Sequence, residues 1–382
     1  MIALKKIRKV TLKPWLSNLL KINGILLCLL LGLYLFYEKQ IHDLTKLDYS
    51  REASKNILFS FKKDYILSVG KSATINCAFE EKKFIEEYLD SYRKIDYVEQ
   101  DHFIDNVNKL LEIGYNPNDI NIIFAHGDDE AVGRFTQREK VRYLEEFFSI
   151  DYAKLDYYDR YVSYSDETGE DEETTVLYVN VGLDKEEYTD SELVSTFSYD
   201  MLVNKYHHLS GEFIPDNLVS IDSQYASEKD MECNKTAYDA YIRMSNAASK
   251  EGYGLVINSA YRSYQSQEEL IQYYTQVYGK NYVDKYVAKA GYSEHQTGLA
   301  FDIGSRTNNV FANSKEYQWM QENAYKYGFI SRFTKRHELL TGFREEPWHY
   351  RYVGEDIAKY IQEHKISFEE YWVLFLDTYQ LK

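Results

Sequence analysis

The stretches GYSEHQTGLAFDI (291–303) and EEPWHYRYVG (345–354) decide how the C-terminal half of this sequence is interpreted. Between them they contribute His295, Asp302 and His349. Two imidazoles and one carboxylate leave the fourth position of a tetrahedral zinc ion open. An open position is typical of catalytic zinc sites, whereas structural sites have four protein ligands. The two stretches therefore predict a zinc site that can carry out hydrolysis.

The residues around these ligands predict how the site is built. We expect a tight turn over Ser293–Gly298 and a buried strand over Leu299–Ile303, because apolar residues flank the aspartate. A buried carboxylate is costly unless it is paired or bound to a metal, which favours a functional role for Asp302. Glu346 lies three residues before His349, in the loop that leads to it. It is placed to take a proton from a water molecule during hydrolysis.

The polar residues near these motifs have plainer interpretations. We expect Asp284 and Glu294 to be solvated, and His337 to be exposed on a loop among basic residues. His207 and His208 are adjacent and cannot both face one site from a strand, so we expect them at the surface or lining a cleft.

A candidate cation lies upstream of the zinc motifs. The segment 236–252 has the pattern of an amphipathic helix, and 254–274 reads as a buried strand followed by a loop and another helix. Arg262 lies at the end of that strand, where it can face a cleft, and its planar guanidinium can hold a carboxylate or an oxyanion. The alternative is a surface arginine that pairs with Glu268 or Glu269.

The N-terminus has the pattern of a membrane signal. An uncharged run, INGILLCLLLGLYLFY (22–37), follows a segment without acidic residues. Its length of about 16 residues is short for a span, which needs ~20, but tilt can make up the difference. The positive-inside rule predicts a cytoplasmic tail at 1–21, an anchor at 22–38 and the remainder outside the cell. A cleaved signal peptide is the alternative, although no small-residue cleavage site follows Tyr37. The basic residues of the tail are Lys5, Lys6, Arg8, Lys9, Lys13 and Lys21.

Charge and cysteine content exclude several classes of protein. The 382 residues carry a net charge of -16, which argues against nucleic acid as a partner. The three cysteines form no CxxC pair, so a cysteine zinc site and a thioredoxin motif are excluded. Cys28 lies in the apolar run, and we expect Cys77 and Cys233 to be free thiols.

Several short amphipathic helices in series are predicted from about 82 to 160, whereas 40–80 has no clean period. We therefore expect a small, extracellular all-α region at 39–175. Within 103–124 we expect one helix that stops at Gly114 and a second that Asn116 caps. The acidic loop SDETGEDEE (165–173) is a natural boundary.

The region that follows the boundary is expected to form the catalytic domain, 176–382. TVLYVNVGL (175–183) alternates apolar and polar residues and is rich in β-branched side chains, so it predicts a strand.

The motifs as a whole resemble a known family. SEHQTGLAFD (293–302) fits the pattern SxHxxGxAxD, and EPWH (346–349) fits ExWH, the signature of zinc D-alanyl-D-alanine carboxypeptidases similar to VanY. SAYRSYQSQ (259–267) is similar to that family's SGYRSYxxQ, with Ala260 in place of the usual glycine. The resemblance covers roughly 180–360 and extends to the related dipeptidases and L,D-carboxypeptidases.

The resemblance implies an extracellular, membrane-anchored enzyme, in a bacterium of the Gram-positive type, that removes the terminal D-alanine from peptidoglycan stem peptides. An L,D-carboxypeptidase acting on wall tetrapeptides and an inactive wall-binding or sensory module are the alternatives. We expect an α+β fold, with a small antiparallel sheet that carries the zinc site and helices around it. The implied site residues are the zinc ligands His295, Asp302 and His349, the base Glu346, Arg262 at the substrate oxygens, and Gln267 and Ser293 in the substrate pocket.

Overall fold

The structure is a computed structural model that describes residues 13–377. The chain divides into two compact units, Met1–Phe148 with Lys154–Asp156 and Ser149–Ala153 with Tyr157–Lys382. Both helices and small sheets are present, so the mixed α and β class that the sequence predicted is confirmed. The predicted basic residues Lys5, Lys6, Arg8 and Lys9 lie outside the described residues.

The first unit is built from helices wherever the structure describes it. Buried isoleucine, valine and leucine side chains of the short helices form its core, among them Ile57, Ile75, Val107 and Leu110. The helices are α1 (Pro14–Thr45), α2 (Arg51–Phe59), α3 (Lys63–Val69), α4 (Ala73–Glu80), α5 (Leu89–Tyr92), α6 (Phe103–Ile113), α7 (Pro117–His126), α8 (Asp129–Phe135) and α9 (Leu144–Phe148).

Helix α1 is long and apolar enough to cross a membrane over Trp15–Thr45, with a mean hydropathy of 2.2 in its most apolar window, and none of that window is buried in the protein. The apolar side chains from Leu19 to Phe36 are exposed, whereas Ile41 and Leu44 are buried. The helix therefore fits a membrane anchor in its first part and packs into the first unit only at its end. It is longer than the predicted anchor at 22–38.

The boundaries of α6 and α7 follow from their capping residues. Gly114 ends α6 with a φ of 102°, in the left-handed region that favours glycine. The Asn116 side chain accepts hydrogen bonds from the backbone N–H groups of Asn118 and Asp119, and Asp119 bonds back to the Asn116 N–H. The predicted stop and cap are confirmed.

The second unit surrounds a four-stranded sheet with helices. Its helices are α10 (Tyr158–Thr168), α11 (Glu172–Val181), α12 (Lys235–Lys250), α13 (Tyr264–Tyr278), α14 (Lys280–Tyr286), α15 (Lys315–Asn323), α16 (Glu338–Thr341), α17 (Glu355–His364) and α18 (Phe368–Phe375). Its strands are β1 (Glu192–Leu193), β2 (His207–His208), β3 (Leu218–Ser220), β4 (Glu232–Asn234), β5 (Leu255–Ser259), β6 (Ala300–Ser305), β7 (Phe329–Ser331) and β8 (His349–Tyr352). The unit begins earlier in the chain than residue 176.

The prediction of a strand at 175–183 is wrong, because α11 occupies most of this segment. The Asp171 side chain caps the helix by accepting from the Thr174 N–H, and Gly182 ends it with a φ of 101°. Thr175, Val176 and Val179 are among its buried residues, and this spacing belongs to one face of a helix. The capping residues and the helical spacing outweigh the β-branched composition.

The central sheet is antiparallel, in the order β5-β6-β8-β7. Phe301 and Ile303 of β6 are fully buried on one face, where they belong to a core with Tyr241 and Met244 of α12. Asp302 lies between them in sequence and therefore points to the other face. The predicted strand and helix around Arg262 are present as β5 and α13, and the predicted strand at 299–303 is present as β6.

Candidate active site

Three side chains with metal-binding atoms converge on one face of the sheet. Asp302 of β6 is paired in register with His349, the first residue of β8, and His295 comes from the turn Glu294–Thr297 just before β6. One ligand atom from each lies within 4.8 Å of the other two. The predicted turn, strand and loop therefore bring together the three residues proposed as ligands.

Hydrogen bonds to the outer ring nitrogens fix how the two imidazoles are presented. Nδ1 of His295 donates to the Ala260 carbonyl oxygen at 2.6 Å, and Nε2 of His349 donates to Oε2 of Glu294 at 3.2 Å. The nitrogens that remain, Nε2 of His295 and Nδ1 of His349, lie 3.4 and 3.3 Å from Oδ1 of Asp302. Both rings thus turn their second nitrogen, the one that could bind a metal, towards the same point.

The Asp302 carboxylate shows that these residues fit a metal ion. Its Oδ1 atom is buried and has no hydrogen-bond partner of acceptable geometry among the described residues. Burial alone would raise the pKa of Asp302, but the neighbouring His295 and His349 outweigh it and hold the pKa below the usual range. An ionised, buried oxygen without a hydrogen bond is costly, and a coordinated cation would satisfy it.

Glu346 lies beside the three ligand residues. Its side chain is 13% exposed, and Oε2 is 3.6 Å from Nδ1 of His349. Burial raises the pKa of Glu346 to about 7, with His349 and Arg262 acting against the rise and Asp302 adding to it. A carboxylate with this pKa can both accept and return a proton near neutral pH.

Arg262 is held inside the protein and not at its surface. Its guanidinium donates to Oγ of Ser259 and to Oε1 of Gln267, both at 2.8 Å. Gln267 is in turn fixed by donating from Nε2 to the Ala288 carbonyl oxygen at 2.7 Å. The partners of Arg262 are therefore two neutral side chains, and not Glu268 or Glu269, which were the alternative. Burial lowers the pKa of Arg262, and the nearby Asp302 acts against the decrease.

One cavity of about 410 Å³ joins these groups. Because its wall also includes aromatic side chains such as Phe333 and Trp348, it offers an apolar surface with a few polar groups, as ligand sites commonly do. All seven residues named from the sequence lie on its wall, namely Arg262, Gln267, Ser293, His295, Asp302, Glu346 and His349.

The expectation that Glu294 is solvated is wrong. Its side chain is 1% exposed, and Oε1 accepts hydrogen bonds from Arg332 at 2.8 Å and Arg351 at 3.1 Å, while Oε2 accepts from His349. Burial would raise the pKa of Glu294, but the two arginines and His349 hold it well below the usual range. Glu294 is therefore a permanent anion directly behind one of the candidate ligands.

The buried charges continue to the C-terminal helix α18. Arg332 donates to both oxygens of Glu369 at 2.9 and 2.5 Å, and Asn204 donates to the same carboxylate at 3.3 Å. Sequence reasoning missed this cluster, although one signal was available. Arg351 stands in an apolar, aromatic strand, and a cation at such a position requires a buried acid.

Of the predictions about other histidines, one needs correction. His337 is not solvent-exposed, because its side chain is only 12% exposed and hydrogen-bonds through Nδ1 to Thr334 Oγ1 at 3.0 Å. His207 lines a cleft, as expected, although it is buried, with its ring 4.7 Å from that of Trp372. His208 is half-buried beside Ser191, whereas Asp284 is exposed as expected and pairs with Lys280.

Comparisons with known proteins agree with the geometry. The family model described as VanY, D-alanyl-D-alanine carboxypeptidase, matches residues 230–355. This range contains all of the candidate site residues, but it excludes Asn204 and Glu369, which flank the buried charge cluster.

Curated relatives each match a little under half of this chain. The putative carboxypeptidase YodJ of Bacillus subtilis is 42% identical over 179 residues, which are 45% of this chain and 66% of the relative. A D-alanyl-D-alanine carboxypeptidase of Enterococcus faecium is 32% identical over 49% of this chain and 53% of the relative. The bifunctional D-Ala-D-Ala dipeptidase and carboxypeptidase VanXYC of Enterococcus gallinarum is 30% identical over 44% of this chain and 91% of the relative. The chain thus spans about two thirds of the length of YodJ and about half of the length of the Enterococcus faecium enzyme.

A solved structure of the LdcB LD-carboxypeptidase has 39% sequence identity and covers 49% of this chain and 92% of its own, with a TM-score of 0.44.

The position of Glu294 generates a prediction about metal binding. Glu294→Gln removes the charge between Arg332 and Arg351, so we expect the free energy of unfolding to fall by about 3 kcal/mol. It also weakens the bond that orients His349, so we expect zinc affinity to fall roughly 10- to 100-fold. Urea unfolding and competition with a zinc-binding dye measure the two effects.

The matched control is Glu363→Gln, the same substitution on the exposed surface of α17. It should leave both quantities nearly unchanged. Wild-type zinc affinity in a folded Glu294→Gln variant would contradict the orienting role.

Proposed function

Since the chain belongs to the VanY family of D-alanyl-D-alanine carboxypeptidases, we propose that it removes the terminal D-alanine from peptidoglycan stem peptides, with zinc held by His295, Asp302 and His349. The observation that carries the proposal is the cavity that joins this ligand set to Glu346 and Arg262. A peptide end in the cavity would lie between a metal, a base and a cation.

The metal fits the donor set. Two imidazole nitrogens and one carboxylate oxygen, with room for a further ligand, are what catalytic zinc sites use. When bound, zinc supplies Lewis-acid polarisation of the scissile carbonyl and makes water more acidic. Glu294 supports this role because its carboxylate increases the basicity of His349 and fixes the orientation of the ring.

Glu346 is the candidate for proton transfer. It accepts a proton from the attacking water and returns it to the amine of the departing D-alanine. Its pKa, which burial raises to about 7, suits both steps near neutral pH. Phe333 and Trp348 line the same cavity and give it apolar surface beside Glu346.

Arg262 is the candidate for binding the substrate's negative charge. A C-terminal peptide brings a carboxylate, and its transition state develops a second negative oxygen. Ser259 and Gln267 already hold two of the guanidinium N–H groups, which fixes the plane of the fork. A pre-positioned cation in a partly dry site makes strong charge-assisted hydrogen bonds.

The membrane arrangement follows from α1. We place it as a single-pass anchor, with the catalytic domain on the outer face of the cell membrane, where the wall peptides are. The support is the exposed apolar length of the helix, together with the basic residues that precede it in the sequence.

Product analysis tests the bond specificity. The full-length chain in detergent is incubated with pentapeptide and tetrapeptide muropeptides, and the masses of the products are measured by mass spectrometry. We expect the pentapeptide to lose one alanine and the tetrapeptide to remain intact, in line with the activity in the names of the enterococcal relatives. Cleavage of the tetrapeptide alone would assign L,D specificity, and cleavage of neither would support a binding module.

Metal analysis tests the ligand set. We expect about one zinc per chain in protein purified without chelators. His295→Ala should lose the metal and the activity together, because it removes one of three protein ligands. His364→Ala, at the exposed end of α17, is the control and should keep both. Protein that contains no zinc and takes up none when it is added would overturn the assignment.

Substitution of Glu346 tests the base. Glu346→Gln is nearly isosteric but cannot accept a proton at neutral pH, so we expect kcat to fall about 10³-fold while zinc content is unchanged. Glu345→Gln, at the neighbouring exposed residue, should keep the wild-type rate. A near-normal rate in Glu346→Gln would mean that another group transfers the proton.

Substitution of Arg262 tests the cation. Arg262→Lys keeps the charge but loses the fork, so we expect kcat/KM to fall by about 100-fold with zinc content and folding intact. The control is Arg243→Lys, in an exposed ion pair with Glu355. An Arg262→Lys enzyme within a few-fold of the wild type would show that the substrate carboxylate is bound elsewhere.

Protease accessibility tests the topology. Protease added to intact, wall-stripped cells should digest the chain beyond the anchor, because the basic N-terminal tail holds that end inside. Protection of the catalytic domain until the membrane is permeabilised would reverse the orientation.

A further inference from the structure

A row of tyrosine rings runs along α13 and α14. Tyr274, Tyr278, Tyr282 and Tyr286 follow one another at intervals of four residues, a spacing that places side chains on one face of a helix. The ring centroids of Tyr278 and Tyr282 are 4.8 Å apart, and those of Tyr282 and Tyr286 are 4.9 Å apart. The row is therefore continuous across the junction between the two helices.

The tyrosine row begins in the candidate active site. Tyr274, Tyr282 and Tyr286 lie on the wall of the cavity that contains Arg262 and Glu346. Tyr278 lies outside that wall and is 57% exposed. An aromatic surface thus leads from the cavity into solvent, and a substrate longer than the cavity can follow it.

The chemistry of the row points to a sugar. A tyrosine ring has a negative π face, which attracts the slightly positive C–H groups on the flat face of a sugar ring, and its hydroxyl can bond to sugar hydroxyls or water. Such a rigid, amphipathic surface loses little conformational entropy when it binds. Lys280 and Asp284 of α14 pair with each other, so this pair adds no net charge beside the row. A neutral, ring-shaped partner suits this surface.

We propose that the tyrosine row binds the N-acetylated sugar that carries the stem peptide. This rests on the proposed function, because a carboxypeptidase holds the C-terminal end of the peptide while the sugar is attached to the other end. Five residues in an extended conformation span up to about 17 Å. Tyr282 shares the cavity wall with Glu346, and the exposed ring of Tyr278 is only 4.8 Å from that of Tyr282. A sugar on Tyr278 therefore fits a peptide of that length whose terminal residue is beside Glu346.

The test compares two substrates that differ only in the sugar. The full-length chain in detergent is given a disaccharide-pentapeptide and the same pentapeptide without sugar. We expect kcat/KM to be about three- to tenfold higher for the substrate with sugar, which is the scale of one or two aromatic contacts. Tyr278→Ala should abolish this preference and leave the rate on the free pentapeptide unchanged.

The control is Tyr273→Ala, on the same helix. Tyr273 is 58% exposed, and it lies about 100° around the helix from Tyr274. Its ring is 5.7 Å from that of Tyr274, but it is not one of the four rings that form the row. This variant should keep the preference for the sugar. Equal rates of the wild type on both substrates, or an equal loss in both variants, would overturn the proposal while leaving the proposed function intact.

Two further outcomes would also overturn the proposal. Tyr278→Ala that keeps the sugar preference but changes sedimentation of the chain would assign the row to contact between copies, and this overturns the proposal. Failure of the wild type to cleave either substrate would overturn the proposed function, and the sugar site with it.

Discussion

The buried carboxylate of Glu294 is the interaction on which the candidate site depends. It receives hydrogen bonds from Arg332, Arg351 and His349, and each of these residues belongs to a strand of the central sheet or directly follows one. A buried anion with two buried cations is stable only as a complete set, since loss of one partner leaves an uncompensated charge. The sheet register that aligns Asp302 with His349 is therefore tied to the same charges that orient the imidazole.

The local elements were predictable where a residue type has a single strong preference. The cap at Asn116, the stop at Gly114 and the buried strand around Asp302 are present as expected, because each follows from local sequence. The structure of the segment 175–183 was not predicted correctly. Its β-branched residues suggested a strand, whereas the cap at Asp171 begins a helix. Competition between composition and capping is decided by tertiary packing, which puts Val176 and Val179 in the core.

The motifs predict residues that the structure brings together on one cavity wall, whereas the groups that support these residues were not predictable. His295, Asp302 and His349 occupy short, recognisable patterns, and Arg262 stands at a strand end. Glu294 lies between such residues in sequence, yet a single glutamate gives no sign of burial, and its partners Arg332 and Arg351 come from strands about 40 to 60 residues away. Long-range charge pairing leaves almost no local signal. Glu369 lies still farther along the chain, beyond the residues that the family model matches.

The most direct test of the account is the position of the metal in a crystal of the zinc-loaded protein, located by anomalous diffraction at the zinc edge. We expect one strong peak bound by Nε2 of His295, Nδ1 of His349 and the Asp302 carboxylate, with Nε2 of His349 still bonded to Glu294. A peak bound by other residues, or coordination through the opposite nitrogen of either ring, would contradict the account.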